Sequence, residues 1–125
     1  LSTASKSRAT TADNPGGRGE GAAPAVGDAV ERLDEVIHQK VRLGILSTLL
    51  ATGEADFKLL KETLGLSDGN LSTHLAVLDE HGYILVRKEF RGKRPHTTVK
   101  ATDQGREAFQ QYLLSLERII KAARG

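Results

Sequence analysis

With 125 residues, 38% apolar and 27% charged, the chain has the size and composition of one globular domain and is too short for two ordinary ones. It has no cysteine, which excludes disulfides, thiolate metal sites and cysteine nucleophiles, and its 4% aromatic content without Trp argues against stacking on single-stranded bases as a main mechanism. The formal net charge is only +2, so any case for nucleic acid must rest on where the charges sit.

Residues 1–29 differ from the rest. Leu1 and Val26 are their only large apolar residues, and Gly16, Gly17, Gly19, Gly21, Gly27, Pro15 and Pro24 punctuate them. Such a segment buries too little apolar surface to offset the entropy of ordering it, so a flexible, disordered tail is expected. Lys6, Arg8 and Arg18 are balanced by Asp13, Glu20 and Asp28, so it is not a polybasic arm.

Residues 30–125 read as the folded domain. Val30, Leu33, Val36 and Ile37 recur at helical spacing, and Val41, Leu43, Ile45, Leu46, Leu49 and Leu50 cover more than half a helix circumference, as in a helix buried on several sides. The pattern leaves open whether 30–50 is one helix or two that break near His38–Lys40. Asp56 can cap a short helix, Phe57 to Leu64, with Phe57, Leu60 and Leu64 inward, and Gly65 stands where a left-handed C-terminal cap belongs. Ser67 can cap the next helix, about 68–81, which buries Leu71, Leu75 and Leu78 and closes at Gly82. Two helices joined by a tight turn containing Gly make a helix-turn-helix.

The period then changes. Tyr83 to Phe90 is rich in β-formers, Arg91-Gly92-Lys93-Arg94-Pro95 reads as a turn, and His96 to Ala101 as the returning strand. Thr102 can cap a last helix over 103–123. The order helix, helix, helix, hairpin, helix is that of a winged helix-turn-helix: mainly α with a small β-hairpin (α+β), ending in a C-terminal dimerisation helix.

On the 68–81 helix, Gly69, Asn70, Ser72, Thr73 and Val77 fall away from the buried leucines, with Ala76 flanking. Short and amide side chains near a helix N-terminus let the backbone approach a major groove and reach base edges, so these are the expected base-contacting residues. On a solvated first turn with no partner, the same residues need no function. Between Arg87 and Lys100, six basic residues face Glu89 alone. An edge hairpin uses Lys and Arg against aggregation, but this charge exceeds that need. Arg87, Lys88, Arg91, Lys93, Arg94 and His96 are therefore the expected wing contacts to backbone or minor groove. Lys40, Arg42, Lys58 and Lys61 are expected as supporting phosphate contacts, although each alone reads as a solvated helix charge, and His74 as a phosphate donor or a polar packing residue.

His38, His74, His81 and His96 show no metal-ligand spacing; His74 and His81 lie about 10.5 Å apart along a helix, too far to share an ion alone. No nucleophile elbow, Gly-rich phosphate loop or H-E-x-x-H occurs, so neither an enzyme nor a cofactor or metal site is expected. In the last helix Phe109, Tyr112, Leu113, Leu116, Ile119 and Ile120 exceed what one stripe against a small core uses, and they are the expected dimer interface.

The runs His38-Gln39-Lys40-Val41-Arg42-Leu43-Gly44-Ile45-Leu46, Phe57-Lys58-Leu59-Leu60-Lys61 and Asp68-Gly69-Asn70-Leu71-Ser72-Thr73-His74-Leu75 resemble a family of small bacterial and archaeal winged-helix DNA-binding proteins related to MarR-type and ArsR-type regulators. Gly82-Tyr83, Gly92-Lys93-Arg94-Pro95 and Thr102-Asp103-Gln104-Gly105-Arg106 continue the match, which covers about Leu33 to Leu116. Ala101 departs from it, since such proteins usually carry Leu there. The resemblance implies a homodimeric transcription regulator, with the 68–81 helix in the major groove of double-stranded DNA and the 91–95 wing on backbone or minor groove. Repression at an inverted-repeat operator is the expected activity, and a small-molecule effector is compatible with it. The alternatives are a winged-helix protein-interaction module and a non-specific architectural DNA binder. No stretch approaches the roughly 18–20 apolar residues of a membrane span, and the N-terminus has no basic-then-apolar secretory pattern, so a cytoplasmic, nucleoid-associated location is expected.

Overall fold

The computed structural model describes residues 22–125. Among these are five helices and a three-stranded antiparallel sheet: α1 (Ala22–Glu31), α2 (Lys40–Thr52), β1 (Glu54–Asp56), α3 (Phe57–Leu64), α4 (Asp68–Glu80), β2 (Ile84–Arg91), β3 (Arg94–Ala101) and α5 (Asp103–Arg124). No described helix is long and apolar enough to cross a membrane. The chain divides into two compact units. One is Leu33–Leu114; the other joins Arg32 and the described residues before it with Ser115–Gly125.

In the second unit, the expected tail is corrected over Ala22–Ala29, which are helical in α1. The local chemistry explains this. Alanine has the highest helix propensity, and Pro24 sits in the first turn, where its missing N–H has no intrahelical acceptor to lose. Arg32 pairs with Asp28 one turn back at 3.3 Å, an exposed contact of little energetic weight. The rest of the expected tail, residues 1–21, lies outside the described residues. Ser115 is buried in this unit, Leu116 and Ile119 are half-buried, and Ile120 is exposed.

The Leu33–Leu114 unit holds the core. All nine of the largest fully buried side chains belong to it: Ile37, Ile45, Leu46, Leu49, Leu60, Leu71, Leu78, Val99 and Tyr112, each contributing about 1.5–3 kcal/mol by burial. Neither form of the helix expected over 30–50 holds: the first helix ends at Glu31 and α2 begins only at Lys40, so the helical reading of Leu33, Val36 and Ile37 is corrected. Residues 32–39 are a turn, because Asp34 offers the backbone an alternative to the helix. Its carboxylate accepts from the Val36 and Ile37 amides at 2.8 and 3.3 Å. The Gln39 side chain then caps α2 by accepting from the Arg42 amide at 2.9 Å. In α2, Ile45, Leu46 and Leu49 are fully buried and Val41, Leu43 and Leu50 half-buried, as a central helix requires.

Strand β3 lies between β1 and β2. Ala55, Val99 and Val86 pair across the sheet, and Ala55 and Val99 face the core. The hairpin turn is tighter than expected: Arg91 pairs with Arg94, so Gly92-Lys93 alone connects the strands and Arg94-Pro95 belong to β3. A positive φ at Gly92 (67°), with none at Lys93, is the pattern of a type II′ turn. Thr102 caps α5, its hydroxyl accepting from the Gly105 amide at 2.9 Å and donating to the Gly82 carbonyl at 2.6 Å.

Candidate nucleic-acid interface

Local chemistry sets the helix-turn-helix. Asp56 caps α3, accepting from the Leu59 amide at 2.7 Å, and Gly65 ends it in the left-handed region (φ 65°). Ser67 caps α4 by accepting from the Asn70 amide at 3.2 Å. Lys61 on α3 meets Asp68 on α4 at 2.8 Å, a bond that raises the lysine pKa, so this ammonium bridges the two helices.

With Leu71, Leu75 and Leu78 buried, α4 presents Gly69, Asn70, Ser72, Thr73 and Ala76 to solvent. The Thr73 hydroxyl donates to the Gly69 carbonyl at 2.9 Å, which leaves its lone pairs and methyl group facing outward. Val77 is half-buried. These are short side chains around an amide, on the exposed face of a rigid helix.

Two expected phosphate contacts turn inward. Arg42 is half-buried; its Nε donates to the Val36 carbonyl at 2.6 Å and its Nη1 to His74 Nδ1 at 3.1 Å. Burial first, and the Arg42 charge second, lower the His74 pKa, which favours a neutral ring with an unprotonated Nδ1. Arg42 thus ties α4 to α2 and to the turn before it. The expected dimer residues also divide. Phe109 and Tyr112 are buried inside the unit, the Tyr112 hydroxyl 2.8 Å from His38 Nδ1, whereas Leu113 remains 42% exposed.

Between α3–α4 and the hairpin lies a cleft of about 1140 Å³. Lys58, Ser72, Ala76, Lys88, Arg91, Arg94 and His96 line it together with Asp56 and Asp79. His96 lies 3.9 Å from Asp56, whose other oxygen is occupied in capping α3. Four cations therefore meet one free carboxylate, Asp79, which sequence reasoning missed. Its spacing from Ser72 and Ala76, seven and three residues, could have found it. Gly69, Asn70, Thr73, Val77, Arg87 and Lys93 do not line the cleft, and Lys40 begins α2 as an exposed cation. Among the described residues, no three His, Asp or Glu side chains are grouped to hold a metal ion. The chemistry on offer is hydrogen bonding from α4 and charge neutralisation from the wing.

Comparison with known proteins agrees with the fold. A family model for a winged helix DNA-binding domain matches residues 41–120. Uncharacterized protein MJ0432 of Methanocaldococcus jannaschii is 36% identical over 87 residues, 70% of this chain and 95% of its own length. The transcriptional regulator homologue protein from Pyrococcus horikoshii OT3 superposes with a TM-score of 0.71 at 31% identity, over 80% of this chain and 97% of that one. A Bacillus cereus ATCC 10987 protein assigned as a MarR-like transcription regulator shares the fold, with a TM-score of 0.58 at 22% identity over 79% of this chain and 73% of that one. With the model matched across the helix-turn-helix, the wing and most of the last helix, the chain belongs to the winged helix DNA-binding domain family.

Proposed function

We propose that this chain is a homodimeric, sequence-specific repressor of transcription that acts in the cytoplasm on an inverted-repeat operator in double-stranded DNA. The observation that carries the reading is the pairing of two surfaces: the exposed Gly69, Asn70, Ser72 and Thr73 of α4, and the cationic hairpin across the cleft from it. Short polar groups on a helix read base edges in the major groove, and Arg and Lys on a hairpin hold phosphates without reading sequence. The residues for base contact are Gly69, Asn70, Ser72, Thr73 and Val77. Those for the backbone or minor groove are Arg87, Lys88, Arg91, Lys93, Arg94 and His96, with Lys40 and Lys58 in support.

Dimerisation uses the apolar residues of α5 that keep exposed surface: Leu113, Leu116, Ile119 and Ile120. A two-fold pair sets two α4 helices roughly 34–36 Å apart, one turn of duplex, which is why the operator is an inverted repeat. If each protomer neutralises ~4 phosphates, the log–log salt slope of the dimer is near −7.

Selection from random duplex DNA at near-physiological salt tests this reading. An enriched inverted repeat supports it. Salt-sensitive retention without enrichment points to an architectural binder, and no retention to a protein-interaction module. A monomeric mass by light scattering at micromolar concentration refutes the dimer.

A further inference from the structure

Phe90 is 73% exposed, more than any other exposed large apolar side chain described, close to a hairpin turn that carries Arg91, Lys93 and Arg94. Alternation along β2 sets it on the face of Ile84 and Val86, but the core ends at Val86 and Phe90 lies beyond it. Its partner across the hairpin is Pro95, also exposed. β1 pairs with β3 only from Thr98 to Lys100, so around Phe90 and Pro95 the sheet is a two-stranded ribbon. There β3 is an edge strand on its far side, where the missing N–H of Pro95 costs no pairing with β1. The tip of the ribbon thus presents an aromatic ring beside a rigid pyrrolidine, with Arg91, Lys93 and Arg94 around them.

We propose that Phe90 and Pro95 form an apolar wedge that enters the minor groove of duplex DNA and opens a base step. The inference rests on the DNA-binding reading and goes beyond it, since phosphate contact by the wing needs only the cations. Charge complementarity selects the occupant. A cationic rim around a small apolar point fits a surface with anionic walls and an apolar interior; in the minor groove the walls are phosphates, and unstacked bases supply the interior. Phe and Pro are both side chains that minor-groove proteins insert between base steps. An anionic lipid surface shares the charge, but one ring and one pyrrolidine offer little apolar area for anchoring there.

The test uses the full chain, short duplexes carrying 2-aminopurine at a TA step, and end-labelled duplexes for bending. TA steps unstack most readily, so they report a wedge sensitively. The wild-type protein is expected to raise 2-aminopurine fluorescence and shorten the end-to-end distance. Phe90→Ala is expected to abolish both changes and weaken binding roughly tenfold, the scale of one lost aromatic–base contact. Phe90→Leu, which keeps an apolar point, is expected to retain much of the bend. Because the ring is exposed, circular dichroism and melting of both variants should match wild type. Wild-type affinity and fluorescence in Phe90→Ala overturn the wedge while leaving the DNA reading intact. So does a Phe90→Ala defect confined to phosphatidylserine vesicles, which would assign the tip to lipid. If the wild-type chain binds no duplex at all, the DNA reading fails and the wedge falls with it.

Discussion

The guanidinium of Arg42 donates to the imidazole of His74 at 3.1 Å, so the helix proposed to read DNA is hydrogen-bonded to the central helix of its own domain. The bond needs an unprotonated Nδ1. Burial and the neighbouring Arg42 charge both lower the His74 pKa from its ordinary 6.5. The unfolded chain therefore takes up this proton more readily than the folded one. Stability from this group is complete above pH about 6.5 and is lost as pH falls below that value, until the folded ring protonates as well. Urea midpoints measured between pH about 7.5 and about 5 should decline. In His74→Gln, whose side-chain oxygen can still accept from Arg42, the decline should be shallower. An identical slope in the two proteins would remove His74 from the account.

A second link lies at the start of the wing. The Tyr83 hydroxyl donates to Asp34 at 2.5 Å, and the same carboxylate holds the Val36 and Ile37 amides. Burial, then the Asp34 bond and charge, push the Tyr83 hydroxyl up to about 12 from its ordinary 10. Here the sign is reversed. The contribution is present below pH about 10 and is lost as pH rises from there to about 12. Tyr83→Phe should cost about 1–2 kcal/mol at neutral pH and reduce the alkaline loss of stability. The tyrosinate absorbance of the variant reports Tyr112, the other tyrosine, whose own pKa burial raises.

Two glycines make a matched pair of substitutions. A Cβ on Gly105 would lie 2.1 Å from the Tyr83 carbonyl oxygen, with backbone on both sides of the contact. A Cβ on Gly44 would meet the tip of Leu64 at 2.9 Å, a flexible end that can turn away. Gly105→Ala should therefore separate α5 from the start of the wing and cost about 3 kcal/mol or more. In Gly44→Ala a gain of up to about 1 kcal/mol in helix propensity offsets the strain, leaving the change within about 1 kcal/mol of zero. Thermal melts of the two variants decide this, and equal losses would contradict the contact geometry.

The parts of the fold that were legible in advance are those set by neighbours in sequence. Asp56, Ser67 and Thr102 cap helices because a short oxygen-bearing side chain reaches an amide two or three residues on, and Gly65 adopts the left-handed cap expected of it. What was not legible depends on partners far along the chain. β1 is three residues long, too short for any periodic signal, and exists because Val99 lies beside Ala55. Arg42, Lys61 and His74 were readable as polar groups near a helix-turn-helix. The inward bonds of Arg42, to Val36 and His74, and the exposed bond of Lys61 to Asp68 on the next helix are set by tertiary approach. The Val30–Ile37 spacing was a true apolar pattern, but Asp34 spends its carboxylate on the turn and the helix forms upstream of it.

The division of labour between α4 and the wing makes the sharpest demand on the proposed function. Arg94 is an exposed cation at the tip of the ribbon, opposite Arg91, and lines the cleft. A guanidinium so placed neutralises phosphate wherever phosphate lies. Arg94→Ala should weaken binding to selected and random duplexes by similar factors and make the salt slope shallower by about 1 per protomer. Asn70 sits in the first turn of α4, where a side-chain amide can bond an adenine at two atoms. Asn70→Ala should leave binding to random DNA nearly unchanged and relax one base pair per half-site by about 1–3 kcal/mol. Competition binding with the selected site and its single-base variants separates the two effects. If both substitutions cost the same on selected and random duplexes, Asn70 reads no base and α4 is only a platform for charge.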